Sequence, residues 1–434
     1  MDIKTLYLKK KIYINKYIQI IGWIKHFRNN KFLEINDGTY NKNIQILINF
    51  KYSKIFLSKL TIGSSLKVKG FVKLFKNNIE ILSNYILIYH SNKIINVERS
   101  ILQKKKHSLS IIRKQNFLRF QTNLFFNILL IKNFLLNKIN NFLYKNNFIY
   151  IHTPIITNVN PENILKVFKI KNNFFKKNLY LTVSGQFENE LSLNGLKKVY
   201  TFGPVFRAEK SSTKKHLAEF WMLEIEIAFS SFKKIILFIK KFINYLFKKV
   251  ISSCRNELFI IDKFNKKKKN YSINNLLNLY NKYKIVSYVK IIKIINNKFK
   301  KNYYGKDLNI KMENYILNYY LNKILIIINY PKNIKPFYMK LNFNNKTVKS
   351  FDILFPKIGE IIGGSQREDN IYLLNKKIKD NKLTKNIKTI YSKIINYNNI
   401  PHSGFGLGFD RLIQFITNVN NIKDVVEYPI FYNN

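Results

Sequence analysis

Five short segments within the first 95 residues, in which apolar and polar side chains partly alternate, constrain the fold of this chain more than any other feature. A period of two puts the apolar side chains on one face of a β-strand. Turn-forming residues such as Asn36-Asp37-Gly38 separate the segments. Five strands of this length favour a small closed β-barrel; the predicted strands are residues 17–24, 31–35, 43–48, 65–70 and 78–82.

One small barrel of five strands is the OB-fold, which commonly binds single-stranded nucleic acid. Another small barrel, or an unrelated sheet, would show the same alternation, so the pattern alone leaves these alternatives open. A formal net charge of +52 would attract a polyanionic partner in a salt-sensitive way. Codon bias is an equally good explanation for part of this charge, because the abundant Lys, Asn, Ile, Phe and Tyr are encoded by A- and T-rich codons.

The overall composition excludes several classes of protein. Hydrophobic residues make up 46% of the chain and aromatic residues 15%, too many for a wholly disordered basic protein. Cys254 is the single cysteine, which excludes a disulfide framework and a cysteine-based zinc cluster. No run approaches the roughly 18 uncharged apolar residues of a membrane span, and the N-terminus does not resemble a signal peptide. We therefore expect a cytoplasmic protein without a membrane partner.

Beyond the barrel, the pattern predicts a second and larger domain. The predicted boundaries are residues 1–95 for the barrel, 96–120 for a linker with a basic start at Lys104–His107, and 121–434 for the second domain. Apolar residues near helical spacing predict one long helix over residues 116–145, and residues 231–300 look helical and rich in lysine. Lys266–Lys269 is expected to be a solvated loop. Strands and glycine turns return from residue 324, before a helix near residues 410–417.

The first group of residues that could carry chemistry is a predicted hairpin, residues 201–209 and 216–226, joined by a basic loop. Arg207 and Glu209 end its first strand. Glu224 and Glu226 are two residues apart and therefore share one face of the second strand. Carboxylates among apolar neighbours are costly to bury unless cations or donors meet them. The cluster predicts a binding site, with surface salt bridges as the alternative.

A second group lies within residues 350–368, where Asp352 and Glu360 are acids in an otherwise apolar stretch. Carboxylate oxygens suit Mg²⁺ that is shared with phosphate oxygens. Gly363-Gly364 permits close approach of a ligand to the backbone, and Arg367 could bind a carbonyl or carboxylate with its planar fork of donors. A buried structural pair of acids is the alternative.

A third group, Pro401–Leu412, combines alternating glycines with Arg411 at the start of a helix. It matches neither the Walker phosphate loop nor the dinucleotide-binding loop. Arg411 could stack on a base or hold a phosphate, although a plain tight turn has the same glycines. With six histidines in all, acid–base catalysis has few candidates. Nucleotidyl transfer, which depends on positioning and charge stabilisation, fits better.

Together the three groups resemble the motifs of the class II aminoacyl-tRNA synthetases, most closely the asparaginyl-tRNA synthetases of bacterial type. Residues 181–186, 207–226, 330–339, 360–368 and 401–412 carry the resemblance in the family's order. It implies an α+β fold: an N-terminal OB-type β-barrel that binds the anticodon, then an antiparallel sheet with flanking helices. The Thr153-Pro154 region resembles the first class II motif, which implies a homodimer.

The resemblance also implies an ATP site. Arg207 would hold the α-phosphate and stabilise the charge that develops during attack. Phe220 and Arg411 would stack on the two faces of adenine, and Arg411 would also reach the γ-phosphate. Asp352 and Glu360 would bind Mg²⁺. The implied catalytic residues are Arg207, Glu360 and Arg411, and the implied ATP contacts are Arg207, Glu209, His216, Phe220, Asp352, Glu360, Gly408 and Arg411.

L-asparagine and tRNA(Asn) are the other substrates that the resemblance implies. Glu162 or Glu224 would take the ammonium group of the amino acid, and Arg367 would donate to its side-chain carbonyl. The implied amino-acid pocket is Glu162, Ser184, Gln186, Glu190, Glu224 and Arg367; the implied anticodon contacts are Phe32, Gln45 and Glu80. The chain departs from the family after Glu162, where Asn163–Lys166 replaces the usual Gly-Ala-Gly-Glu run of a closing loop.

Three alternatives to asparagine–tRNA ligation follow from the same residues. Aspartyl-tRNA synthetases share the motifs, but their bacterial forms carry a large extra domain for which residues 230–328 leave no room, and they usually have Pro where this chain has Gly185. A non-catalytic tRNA-binding paralogue would not need Arg207, Glu360 and Arg411. A free-standing asparagine synthetase would lack the barrel.

Overall fold

The computed structural model describes residues 1–49, 52–76, 78–91, 108–114, 116–158, 167–171, 173–175, 177–211, 213–380 and 400–432. The chain divides into two compact units, residues 1–127 and 128–434. Glu162 and Lys104–His107, singled out from the sequence, lie outside the described residues.

The first unit is built on a closed barrel with the strand order β1-β2-β3-β5-β4. Neighbouring strands are antiparallel except for the parallel pair β3 and β5. Its strands are β1 (Tyr17–Arg28), β2 (Phe32–Asn36), β3 (Ile44–Ile48), β4 (Ser65–Phe75) and β5 (Asn78–His90), and its helices are α1 (Ile3–Leu8), α2 (Lys10–Tyr13), α3 (Lys54–Ser58), α4 (Leu109–Lys114) and α5 (Asn116–Arg119).

Strict alternation in burial explains why these residues close into a barrel. Along β1, Ile18, Ile20 and Ile24 point into an apolar core while the intervening side chains stay exposed. Ile3 and Leu6 of α1 belong to the same core and are fully buried. The predicted barrel is therefore confirmed, with β4 and β5 longer than the sequence pattern suggested.

The second unit is organised around an eight-stranded sheet with the order β12-β13-β14-β15-β16-β11-β10-β6. Its six central strands pair antiparallel, and a parallel pair stands at each end. The strands are β6 (Ile149–Tyr150), β10 (Lys198–Phe206), β11 (Glu219–Ala228), β12 (Tyr283–Ser287), β13 (Ile324–Ile328), β14 (Ser350–Phe355), β15 (Gly359–Gln366) and β16 (His402–Gly408); β7 (Ile156–Thr157), β9 (Leu179–Leu181) and β8 (Lys169–Ile170) form a small separate sheet.

Amphipathic helices accompany the large sheet. In α8 (Phe232–Ser253), apolar residues at helical spacing, from Ile235 to Val250, are buried, and the Ser231 side chain caps the helix by accepting from the Lys234 amide. The other helices that begin or lie in this unit are α6 (Asn123–Lys145), α7 (Gln186–Ser192), α9 (Arg255–Phe264), α10 (Tyr271–Leu279), α11 (Tyr288–Phe299), α12 (Ile310–Tyr319), α13 (Ile371–Asp380) and α14 (Phe409–Thr417). None of the described helices combines the length and apolar content that a membrane crossing requires.

Two predictions of secondary structure were wrong. The long helix expected over residues 116–145 is divided into α5 and α6 by a turn, because Thr122 donates to the Arg119 carbonyl and accepts from the Phe125 amide. Such local side-chain bonds compete with helix continuation. The expected helical stretch 231–300 contains the strand β12, which pairs in parallel with β13. The lysine run Lys266–Lys269 does lie between helices, as predicted.

Candidate active site

Hairpin β10–β11 carries the first group of candidate residues. Its register pairs Thr201 with Glu224 and Val205 with Phe220, so Arg207, the first residue of the connecting loop, lies near Phe220. The Arg207 guanidinium lies 5.4 Å from the centre of the Phe220 ring, close enough for a cation–π contact. In the basic loop that follows, His216 Nδ1 is 2.6 Å from Thr213 Oγ1, and its Nε2 is 3.9 Å from Glu209 Oε2.

Strands β14 and β15 bring Asp352 and Glu360 together. A Cβ atom added to Gly363 would lie 3.1 Å from Glu360 Oε1 and 3.6 Å from Asp352 Oδ1, so both oxygens face one space that the absent side chain leaves open. Burial and the neighbouring Asp352 raise the pKa of Glu360. Lys335, Arg411 and Arg207 offset part of this effect, and a cation in this space would add to their contribution.

Strand β16 and helix α14 place Arg411 beside this acid pair. Arg411 Nη1 donates to the Glu360 carbonyl over 2.8 Å, and Gly408 directly precedes α14. The adjacent Asp410 is buried; it accepts from the Trp221 amide at 3.0 Å and lies 3.2 Å from Lys132 Nζ. These bonds fix the start of α14 against β11 and thereby fix the position of Arg411.

A buried polar cluster closes the other end of the site. Arg367 forms a two-bonded ion pair with Glu226 and lies 3.6 Å from Glu190, which raises the pKa of its guanidinium against the effect of burial. His402 Nε2 lies 3.7 Å from Glu190. Burial would lower the pKa of His402, but Glu190 and Glu226 raise it. A side chain at Gly404 would overlap the Glu226 carboxylate, so only glycine fits there.

The two carboxylates of this cluster respond differently to their surroundings. Burial would raise the pKa of Glu190, but His402 and Arg367 hold it below its usual range. Burial raises the pKa of Glu226 to about 7 despite its pairing with Arg367. The guanidinium charge is therefore shared between two acids, which leaves little net positive charge at this end of the cavity.

Helix α7 holds the remaining candidates for the amino-acid pocket. The Glu224 carboxylate accepts from the Ser184 hydroxyl and, at 2.7 Å, from the Gly185 amide at the beginning of α7. Within α7, Gln186 Nε2 donates to Glu190 Oε1, one turn further along the helix, over 2.6 Å. Glu188, on the same helix, has its pKa raised to about 7 by burial and by the charges of Glu224 and Glu190.

One cavity of about 720 Å³ connects these groups. That volume is within the usual range for a small-molecule site. Twelve predicted residues line it: Ser184, Gln186, Arg207, Glu209, His216, Phe220, Glu224, Asp352, Glu360, Arg367, Gly408 and Arg411. Glu190 lies behind the wall and contacts the cavity through Gln186 and Arg367.

The three residues expected to read the anticodon lie together on the barrel. Gln45 Nε2 donates to Glu80 Oε1 over 2.9 Å across the parallel pair β3 and β5. Half-buried Phe32, at the start of β2, pairs with Leu47. The structure therefore places all three on neighbouring strands of one barrel.

Several residues of the site escaped the sequence analysis. Lys335 lies 2.7 Å from Asp352 Oδ2 and Lys215 lies 3.6 Å from Glu313; both lysines line the cavity. Because lysine is abundant throughout this chain, the sequence pattern did not distinguish these two lysines from the others. His402 was noted only as a neighbour of the glycines, and Glu226 only as a neighbour of Glu224. Glu226 pairs with Arg367, directly after β15, and His402 lies near Glu190 of α7; the sequence spacing reveals neither contact.

Comparisons of the whole chain with known proteins agree with one another. Residues 108–431 match the family model of the class II tRNA synthetases (D, K and N), and residues 18–89 match that of the OB-fold nucleic acid binding domain. The chain is 37% identical to the asparagine–tRNA ligase of Borreliella burgdorferi over 96% of each chain, and 35% identical to that of Buchnera aphidicola over 100% of this chain and 99% of the other. The asparaginyl-tRNA synthetase of Pyrococcus horikoshii, solved with asparaginyl-adenylate, superposes with a TM-score of 0.87 at 28% identity, covering 97% of this chain and 96% of that one.

Proposed function

Because this chain belongs to the class II tRNA synthetases, we propose that it ligates asparagine to tRNA(Asn) at the expense of ATP. The observation that carries the proposal is the shared cavity, where two arginines, an acid pair and a polar pocket converge. In the first step an asparagine carboxylate oxygen bonds to the α-phosphorus of ATP, and pyrophosphate leaves. In the second step a hydroxyl of the terminal ribose, the 3′-OH in our proposal, takes the acyl group and AMP leaves.

Arg207 is proposed to stabilise the α-phosphate during the first step. Its guanidinium is already held near the Phe220 ring, so it need not reorganise as negative charge develops. Phe220 and Arg411 stack on adenine, and Arg411 and His216 bind the outer phosphates. Glu209, beside His216, contacts the adenosine or the acceptor end. Because the attacking carboxylate is already ionised, positioning supplies most of the rate.

Mg²⁺ fits the space between Asp352 and Glu360. Two carboxylate oxygens face the gap over Gly363, and hard oxygen ligands combined with phosphates suit this ion. When bound, Mg²⁺ would neutralise charge on the triphosphate. Asp352 and Glu360 would hold the ion in this space.

The amino-acid pocket suits asparagine better than aspartate. Glu224, held by Ser184 and Gly185, takes the ammonium group, and Arg367 donates to the side-chain carbonyl. Because Glu226 and Glu190 already share the Arg367 charge, a second substrate carboxylate would lack a free counter-charge. Gln186 and Glu190 complete the pocket, and Glu162 is proposed to approach it from the closing loop.

Phe32, Gln45 and Glu80 are proposed to bind the anticodon, Phe32 by stacking and the Gln45–Glu80 pair by hydrogen bonds. We also propose the boundaries 1–95 for the anticodon-binding domain, 96–120 for a hinge and 121–434 for the catalytic domain, and a cytoplasmic location.

A homodimer is proposed through the edge of the large sheet at β6. Ile149 and Tyr150 of this strand are half exposed, as are Ile155 and Ile156, and Tyr144 is 79% exposed. Exposed apolar side chains beside an open strand edge are typical of a protein interface.

The deciding experiment is ATP–pyrophosphate exchange with asparagine and with aspartate, run side by side on the same preparation. We expect exchange with asparagine and little with aspartate. Equal or faster exchange with aspartate would assign the chain to the aspartate enzymes. Absence of exchange with either amino acid would favour a tRNA-binding protein without catalysis.

A further inference from the structure

The outer face of the barrel carries a row of exposed aromatic and lysine side chains. Along the second half of β5, Tyr85, Leu87 and Tyr89 point outwards and are 45%, 38% and 52% exposed. The neighbouring strand β4 pairs Lys67 with Leu87 and Lys69 with Tyr85, so both lysines lie on the same side of the sheet. We call these five residues the aromatic–lysine face. Large apolar side chains gathered at exposed strand positions indicate a binding surface.

Contacts between the two strands hold the rings in place. The Lys67 ammonium lies 5.5 Å from the centre of the Tyr89 ring, and the Lys69 ammonium lies 5.7 Å from the centre of the Tyr85 ring. Both distances permit a cation–π contact. About half of each tyrosine remains exposed, so a further planar group can stack on it. Each pair thus offers a ring for a base and an ammonium for a phosphate, the combination that binds single-stranded nucleic acid.

The charge on these strands narrows the choice of partner. Strands β1 and β4 contain neither Asp nor Glu, and the only acid of β5 is Glu80, which accepts a hydrogen bond from Gln45. The face therefore presents its lysines without a neutralising carboxylate on these three described strands. An acidic peptide would match this charge, but its carboxylates would leave the rings uncovered. A polynucleotide supplies a planar base with every phosphate, so it matches both parts of the face.

The strand register separates the aromatic–lysine face from the proposed anticodon contacts. Strand β3 ends at Ile48, which pairs with Ser83 of β5. Beyond that point β5 pairs with β4 alone, so Tyr85 and Tyr89 lie outside the part of β5 that borders the anticodon residues. A strand of RNA on this face would therefore contact a different set of side chains.

We propose that the aromatic–lysine face binds an unpaired stretch of RNA of any sequence, as a second nucleic-acid surface of the barrel. Stacking and phosphate contacts recognise no particular base. The proposal goes beyond the ligation reaction, which requires one tRNA, and does not depend on it. Its failure would leave ATP–pyrophosphate exchange and aminoacylation unaffected.

Fluorescence anisotropy of a labelled oligouridine, about 12 nucleotides long to suit a single barrel, measures this binding on the full chain. Tyr85→Ala combined with Tyr89→Ala should weaken the affinity at least about fivefold, the lower end of the effect of losing one base–aromatic stack, whereas Phe at both positions should keep it. Tyr319→Ala combined with Tyr372→Ala, at two exposed tyrosines of the second unit, is the matched control. Unchanged affinity after loss of both rings, or an equal loss in the control, overturns the proposal.

The salt dependence of binding tests the lysines separately. Lys67→Gln combined with Lys69→Gln removes two phosphate contacts, so the slope of log affinity against log salt should become shallower by about 1.4, at about 0.7 per contact. Lys10→Gln combined with Lys54→Gln, at exposed positions of α2 and α3, should leave the slope unchanged. A wild-type slope in the variant of Lys67 and Lys69 contradicts the proposal.

Two further measurements test other occupants of the face. The variant without Tyr85 and Tyr89 should keep the wild-type KM for tRNA(Asn) in aminoacylation; a raised KM would make the face part of the tRNA site and overturn its independence. Leu87→Asp should keep the wild-type mass in light scattering, and a lower mass would show that a second copy of the chain covers the face. If the tyrosine variants do not fold, photo-crosslinking of the wild type to oligouridine that carries 4-thiouridine still decides. Crosslinks within β4 and β5 support the proposal, and crosslinks confined to other segments overturn it.

Discussion

Glu188 offers a direct test of the electrostatics of the amino-acid pocket. This residue of α7 has its pKa raised from 4.5 to about 7 by burial, with smaller effects from Glu224 and Glu190. Between these two pH values the unfolded chain has released its proton and the folded chain still holds it. The folded state therefore loses stability as pH rises through this window.

The magnitude follows from the pKa shift. One pKa unit corresponds to about 1.4 kcal/mol, so ionised Glu188 costs the folded state up to about 3 kcal/mol above pH 7. Glu188→Gln removes the titrating group at nearly constant shape. We expect it to leave the free energy of unfolding unchanged near pH 4.5 and to raise it by about 2–3 kcal/mol at pH 8.

Thermal unfolding at pH 5 and pH 8 measures the effect. The melting temperature of Glu188→Gln should exceed that of the wild type by several degrees at pH 8, and the difference should shrink at pH 5. Asp380→Asn, which makes the same charge change at an exposed position of α13, is the matched control. A gain of equal size at both pH values, or no gain at pH 8, would refute the reasoning.

Three further predictions concern ATP, tRNA and assembly. Arg411→Ala should reduce ATP–pyrophosphate exchange by about 10²–10³-fold, because a charge-stabilising donor is lost. Arg255→Ala, at an exposed site on α9, is the control and should not reduce exchange. Near-normal exchange in Arg411→Ala would contradict the role assigned to Arg411. Phe32→Ala should weaken aminoacylation of tRNA(Asn) by about 1–3 kcal/mol and leave ATP–pyrophosphate exchange unchanged. Phe75→Ala, at an exposed position of the barrel, is the control and should affect neither reaction. Equal loss of both reactions in Phe32→Ala would indicate a folding defect. Ile149→Asp should shift the mass measured by light scattering from that of a dimer to that of a monomer. Ile285→Asp, on the opposite edge strand β12, should not change the mass. A monomeric wild type would refute the proposed interface.

The barrel could be predicted from the sequence because its signal is local. Alternation along residues 17–24 directly reports which face is buried. The same holds for the hairpin that carries Arg207 and Glu224, since the strand period alone puts Glu224 and Glu226 on one face. The strand β12 was missed because its sequence gives no alternating pattern. In the structure Lys284 and Ile285 are both exposed, so buried and exposed side chains do not alternate along it.

Contacts between distant elements could not be predicted from the residues alone. The Lys335–Asp352 pair joins a loop to β14 across 17 positions, and His402 meets Glu190 only because β16 and α7 border the same pocket. The resemblance supplied the residues that are proposed to contact substrates, but it did not indicate the residues that hold them in place. The turn at Thr122 is a further case, since its two bonds to backbone groups depend on a geometry that helical periodicity does not encode.

The position of β15, β16 and β11 within the large sheet has a consequence for local unfolding. Strands β15, β16 and β11 each have a hydrogen-bonded neighbour on both sides, whereas β6 and β12 form the ends of the sheet. Opening a central strand requires breaking two ladders, so its amide protons should exchange with solvent most slowly. Glu224, which pairs with Thr201 on one side and with Gly406 on the other, is therefore anchored where the backbone opens least, and we expect the motions that would admit substrates to occur in the loops around the cavity.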